Sequence, residues 1–191
     1  MSPRRTWQCT SSGLMVRSRA TASMSGLLSR PTARRAVGLD SSPDMLAIAR
    51  DKTMRPEFLH CQVRLGDVYR PPAPSGDGAP GFDAVLFHQV LHYLDDPQAA
   101  IAAAAQVMRP GGRLLIADFA PHQLEFLRSD FAHRRLGFSD DEVHSWFKPA
   151  GLTPVVAESI APRAGAPGKL TVKIWLAERN AIGKAGAMEA A

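Results

Sequence analysis

Residues 36–50 read AVGLDSSPDMLAIAR. A short apolar strand, Ala36–Leu39, runs into Asp40 and turns through Ser41, Ser42 and Pro43. It then enters a helix whose apolar face is Met45, Leu46, Ile48 and Ala49. Pro43 suits the first helical position, with Ser41 or Ser42 as N-cap. In a nucleotide-binding α/β sheet an acid at such a strand end takes the hydroxyls of a ribose, because a carboxylate accepts two hydrogen bonds at once. The glycine-rich turn that accompanies such an acid belongs about 20 residues upstream. There the chain reads VRSRATASMSGLL, residues 16–28, with no glycine pair.

From residue 34 onward, predicted strands and helices alternate, the pattern of a parallel sheet with helices on its faces. Strands are expected over 58–65, 82–90 and 113–119. Asp96-Pro97 opens a helix that Pro110-Gly111-Gly112 stops. A helical stretch follows over about 122–135, and Ser139 with Glu142 forms a capping box for a helix to about 149. The proline- and glycine-rich run from Arg70 to Gly81 is a loop. Residues 152–160 and 170–178 are two further strands. In the second, Leu170, Val172, Ile174 and Leu176 alternate with Thr171, Lys173, Trp175 and Ala177, which predicts an antiparallel strand with one wetter face. The organisation expected is an irregular Arg/Ser-rich segment over 1–33, a folded domain over 34–179 and a flexible tail over 180–191.

With 191 residues and 45% apolar content, the chain has the size and composition of one globular domain. Its net charge of +5 is unevenly placed. Residues 1–39 hold seven arginines and no Asp, Glu or Lys, so the remaining 16 basic and 18 acidic residues leave the body at −2. That argues against a nucleic-acid-binding surface on the folded part. Cys9 and Cys61 lie far apart and offer no metal-ligand spacing; free thiols fit a reducing, cytoplasmic setting. No apolar run reaches the roughly 18–20 residues of a membrane span.

The strand ends gather the candidate residues: Asp40, Gly66-Asp67, His88-Gln89 and Asp118. Asp67 is placed to accept from an exocyclic amine such as that of adenine, and Val68 and Met45 could wall an adenine slot. Asp118 reads as a loop-capping acid and is set aside. His88 and His92, in FHQVLHYL, could position a nucleophile, or could simply bond neighbouring backbone.

The series VGLDSSPDMLAIAR, LGDVY, FDAVLFHQVLHYLDDP and VMRPGGRLLIADF resembles a class I S-adenosylmethionine-dependent methyltransferase, more narrowly the ubiquinone-biosynthesis-like (type 11) group. HQVLHYLDDP, the APH of residues 120–122, RRLGFSDDEV and KLTVKIWLAER are similar to methyltransferase domains fused behind ArsR-type winged-helix regulators. The resemblance covers residues 34–179. It implies a Rossmann-like sheet in the order 3-2-1-4-5-7-6 with strand 7 antiparallel, and S-adenosylmethionine as cofactor. Asp40, with Ser41 beside it, would bind the ribose, and Met45 would contact the adenosyl group. Gly66, Asp67 and Val68 would form the adenine site, and His88 would line the floor near the methionine moiety.

The family pattern opens with a central strand and a G-x-G-x-G turn, whose close backbone approach to the cofactor only glycine permits. Residues 1–33 offer Gly13 and Gly26 singly and no acid, so strand 1 and its loop are expected to be missing. The leading expectation is methyl transfer to a small-molecule acceptor, impaired by that loss. The alternative is a non-catalytic remnant or interaction protein that keeps the fold. A third reading, a nicotinamide-dependent oxidoreductase, also uses an acid after strand 2, but the antiparallel last strand and the Gly-Asp turn count against it. No catalytic residue, acceptor or oligomeric state follows from the residues.

Overall fold

The computed structural model describes residues 14–18, 35–74, 81–162 and 170–181. Seven strands form one sheet: β1 (Leu14–Ser18), β2 (Arg35–Asp40), β3 (Cys61–Leu65), β4 (Phe82–His88), β5 (Met108–Phe119), β6 (Leu152–Ile160) and β7 (Val172–Arg179). Their order across the sheet is β3-β2-β1-β4-β5-β7-β6. β2 and β3 are parallel, as are β4 and β5, while β7 is antiparallel to both β5 and β6. Among the described residues, four α-helices accompany the sheet: α1 (Pro43–Thr53), α2 (Pro97–Val107), α3 (Phe126–Phe131) and α4 (Asp140–Phe147). Among the described residues no helix is long and apolar enough to cross a membrane.

The centre of the sheet corrects the expectation of a missing strand. Leu14–Ser18, inside the segment expected to be irregular, fills the slot between β2 and β4. It runs antiparallel to both, with Leu14 opposite Leu39 and Phe87 and Val16 opposite Val37 and Val85. Backbone groups of β2 and β4 facing an empty slot would be stranded, and an antiparallel strand satisfies them as fully as a parallel one. The slot is thus filled, but in the opposite direction to its parallel neighbours.

Local signals place the helices well. Asp96 caps α2 by accepting from Ala99 N–H at 2.9 Å, with Pro97 in the first turn. Ser139 caps α4 by accepting from Glu142 N–H at 3.1 Å. Three boundaries differ from expectation. The strand expected from residue 58 starts at Cys61, because Pro56–Phe58 forms a 3-10 turn closed by Phe58 N–H on Arg55 C=O. The strand expected from residue 113 starts at Met108, directly after α2. The helix expected over 122–135 shrinks to α3 and ends at Ala132, which is left-handed (φ 57°). Beyond it, Arg134 and Arg135 both donate their N–H to the His92 carbonyl, a tertiary anchor that overrides helical continuation.

One face of the sheet is fully buried: Val85, Phe87, Leu114, Ile116, Trp175 and Ala177 pack with Ile101 and Ala104 of α2 and with Val143 and Phe147 of α4. Leu86, Leu115, Ile174 and Leu176, on the other face, are only half-buried. In β7 the drier side is therefore that of Trp175 and Ala177, and the aliphatic series is the wetter one. The helices decide this, since Trp175 also donates its indole N–H to Asp140 at the start of α4, 2.7 Å away. Asp140 in turn pairs with Lys173 at 2.5 Å.

The segment between β5 and α4 is locked by Gly137. Its φ is +82°, and a Cβ there would lie 2.1 Å from the Ala120 carbonyl oxygen. Gly137→Ala combines backbone strain with an overlap no rotamer relieves, and is expected to cost about 3 kcal/mol or more. Urea unfolding of the variant against wild type measures it.

Candidate functional site

The carboxyl ends of β2 and β3 bring the first expected residues together. Gly66 N–H donates to the Asp40 carbonyl at 3.0 Å, so the turn after β3 is tied directly to the end of β2. A Cβ on Gly66 would fall 2.4 Å from Cδ1 of the buried Leu39, which would have to shift to make room. Each acid spends one oxygen on its own turn. Asp40 Oδ1 accepts from Ser42 N–H at 2.8 Å, and Asp67 Oδ1 accepts from Tyr69 N–H at 2.9 Å. A carboxylate offers about four lone-pair sites, so both retain capacity for a ligand. Ser42, rather than the exposed Ser41, caps α1, accepting from Met45 N–H at 3.3 Å. Met45 is half-buried on the first turn of α1, and Val68 joins the buried core. The Tyr69 hydroxyl accepts from Asp96 N–H at 3.1 Å, fastening the Asp67 turn to the start of α2.

His88, at the end of β4, is exposed and in register with Ala117 of β5. With β1 between β2 and β4, it stands two strand spacings from Asp40, about 10 Å. Gln89 N–H donates to the Ala117 carbonyl at 2.7 Å, and Gln89 has a φ of 50°, a strained value for a side-chain-bearing residue. The residue of β1 at this edge is Leu14, its first, so the chain enters β1 here instead of leaving it through a turn.

A second cluster, largely missed in the sequence, lies at the ends of β4 and β5. Asp118, expected to cap a loop, is fully buried. Its Oδ1 accepts from His92 Nδ1 at 2.6 Å and from Phe119 N–H at 2.8 Å, and its Oδ2 from Leu91 N–H at 2.9 Å. Asp118 does cap the loop after β4, through the Leu91 N–H, whereas the backbone reading of His92 is overturned, since its ring bonds this distant carboxylate. The His133 ring lies 4.2 Å from that of His92 and is stacked 5.9 Å from Phe119, while His122 meets the edge of Phe119 at 6.1 Å. His133 is 7% exposed, and burial, reinforced by His92 and then His122, pushes its pKa down from 6.5 to about 4. Burial lowers that of His122 as well. His133 Nδ1 and His122 Nε2 are shielded and have no hydrogen-bond partner among the described residues. The signal in the sequence was the three histidines themselves, which no local pattern ties to Asp118. No group of three or more His, Cys, Asp or Glu among the described residues is placed to hold a metal ion.

The family pattern described as a methyltransferase domain matches residues 20–116, half of the chain. The chain belongs to the class I S-adenosylmethionine-dependent methyltransferases. The match begins after β1, so the inverted strand lies outside it. This methyltransferase domain is 35% identical over 82 residues to an uncharacterised methyltransferase of Schizosaccharomyces pombe, covering 40% of this chain and 28% of the relative. It is 28% identical over 134 residues to the ubiquinone biosynthesis O-methyltransferase of Xanthomonas axonopodis pv. citri, covering 66% and 54%. The chain spans less than a third of the length of the first curated relatives it matches: 28%, 23% and 32%. In fold it is similar to the magnesium protoporphyrin IX methyltransferase of Synechocystis PCC 6803, solved with bound SAH. The TM-score is 0.56 at 17% identity, over 75% of this chain and 64% of that one.

The family implies S-adenosylmethionine, and the adenosyl half fits the residues present. Two acids with spare acceptor capacity stand on adjacent strand ends, joined by the Gly66–Asp40 bond. The methionine half is met differently from the family pattern, because Leu14 enters β1 where a glycine turn would leave it.

Proposed function

We propose that this domain transfers a methyl group from S-adenosylmethionine to a small-molecule acceptor. The observation that supports the reading is the bond from Gly66 N–H to the Asp40 carbonyl, which holds the two strand-end turns carrying Asp40 and Asp67 together. Asp40, with Ser41 beside it, holds the ribose hydroxyls. Met45 and Val68 give the apolar walls of the adenine slot, and Asp67 accepts from the adenine amine. His88 lines the floor toward the methionine moiety. When bound there, S-adenosylmethionine would supply an electrophilic methyl group on its sulfonium sulfur. In-line transfer of that methyl depends chiefly on positioning. Relatives named for ubiquinone biosynthesis make an aromatic, quinone-like acceptor a consistent choice.

The inverted β1 favours a second reading, a methyltransferase fold that no longer turns over and serves as an interaction module. Calorimetry with S-adenosylhomocysteine separates the two. The enzyme reading expects binding, and at least about tenfold weaker binding in Asp40→Asn, since hydrogen bonds to a charged group are worth about 1.5–3 kcal/mol. Asparagine keeps the turn bond to Ser42, so the fold survives the change. No binding by the wild type at millimolar ligand leaves the second reading standing.

A further inference from the structure

Residues 121–136, which join β5 to α4, are fastened to the sheet by little apolar surface. Within them Leu127 and His133 alone are buried, and Phe126 is 48% exposed. The base of the segment is fixed at both ends: Ala120 N–H donates to the Thr171 carbonyl and Phe138 N–H to the Phe119 carbonyl, each at 2.9 Å. Between those points it is tied to the turn after β4, where the Arg134 and Arg135 N–H groups share the His92 carbonyl at 2.9 and 3.1 Å. A segment with so few buried anchors opens more easily than the sheet beneath it. One of its two anchors is an imidazole.

What faces His133 suits a neutral ring. The turn after β4 contributes His92, 4.2 Å away, and Tyr93; β5 contributes Phe119 and the Asp118 carboxylate; the segment itself contributes His122. Asp118 favours a charged His133, but its oxygens are taken by His92, Leu91 and Phe119. The other charges nearby, Arg134 with Asp95 and Arg128 with Glu125, are paired at the surface. His133 Nδ1 and His122 Nε2 are shielded and have no partner among the described residues. A charged imidazole bears N–H on both nitrogens, so each of these atoms would become a buried donor without an acceptor.

We propose that the packed rings of His92, His122 and His133 form an acid-sensitive latch, which holds residues 121–136 against the turn after β4 and releases them in mild acid while the sheet stays folded. Free of the sheet, the His133 ring takes a proton below about 6.5; in the closed segment it does so only near 4. Opening is therefore suppressed above about pH 6.5 and favoured as the pH falls below it. His122, also lowered by burial, acts in the same direction.

Backbone amide hydrogen exchange of the full chain tests this, at pH 7 and pH 5, with each rate taken relative to that of unprotected chain at the same pH. The measurement is made without cofactor, so its result does not depend on the methyl-transfer reading. The opening that exposes the Arg134 and Arg135 amides should rise about twentyfold from pH 7 to pH 5. At pH 5 these amides should remain at least about tenfold more open than those of Leu114 and Ile116 in β5, and insensitive to low urea, because local opening exposes little surface. In His133→Phe the rise should shrink to about threefold or less, the remainder coming from His122. His133→Leu serves if the phenylalanine variant does not fold. Equal opening at the two pH values overturns the proposal, as does a folded variant that keeps the wild-type rise. So does exchange of Arg134 and Arg135 only in step with β5 and in proportion to urea, since the segment would then leave only with the whole domain.

Discussion

Asp118→Ala is expected to lower folding stability by about 3–5 kcal/mol, since each buried donor left without an acceptor costs about 1–3 kcal/mol. Asp118 is fully buried and receives three hydrogen bonds, from His92, Leu91 and Phe119. Alanine strands the Leu91 N–H and the His92 Nδ1–H together, and each loses its buried acceptor. Asp118→Asn keeps the shape and one acceptor, and should cost less. The coupling is isolated by a double-mutant cycle with His92→Phe, in which the second substitution costs little once the first is made. Urea unfolding at neutral pH reads all four proteins. A loss below about 1 kcal/mol for Asp118→Ala would mean that the carboxylate is solvated in the native state.

Mild acid should be the second large lever. His133 has its pKa lowered to about 4 by burial and by the neighbouring charges of His92 and His122, with Asp118 acting the other way. The unfolded chain takes up a proton on this ring below about 6.5, and the folded chain does so only near 4. Its contribution to stability is therefore complete above about pH 6.5 and is lost as the pH falls toward 4. At about 1.4 kcal/mol per pH unit, the loss is on the order of 2–3 kcal/mol. His122, also lowered, adds in the same direction. The lowered Asp140, paired with Lys173, is lost only below the ordinary carboxylate range and stays out of this window. The urea midpoint should drop across the window in wild type and much less in His133→Phe. A flat wild-type midpoint would show that the ring charges freely in the folded protein.

How far the sequence could be read depends on the range of the interaction concerned. Asp40, the Gly66-Asp67 turn, the Asp96-Pro97 opening of α2 and the Ser139 cap are local matters, decided within a few residues. The order of the strands is what the family resemblance implies, and the sheet has that order. The ligand roles of Asp40, Ser41, Met45, Gly66, Asp67, Val68 and His88 remain proposals, though the first turns they occupy form as expected. What escaped was non-local. Asp118 and His92 are joined across 26 positions, and nothing in ADF or LHY announces the partner. The alternation in β7 says that its two faces differ, but the helices that bury Trp175 lie elsewhere in the chain. The direction of β1 was unreadable for a related reason: a strand without its glycine turn carries no mark of polarity.

That direction also shapes the electrostatic field at the binding edge. A helix following a parallel central strand brings its N-terminus to the carboxyl edge of the sheet, with about half a unit of positive charge. Here the chain leaves β1 at Ser18, beside Arg35, on the opposite edge. With Asp40 and Asp67 both at the carboxyl edge, the local field favours the cationic sulfonium and ammonium of a ligand over its carboxylate.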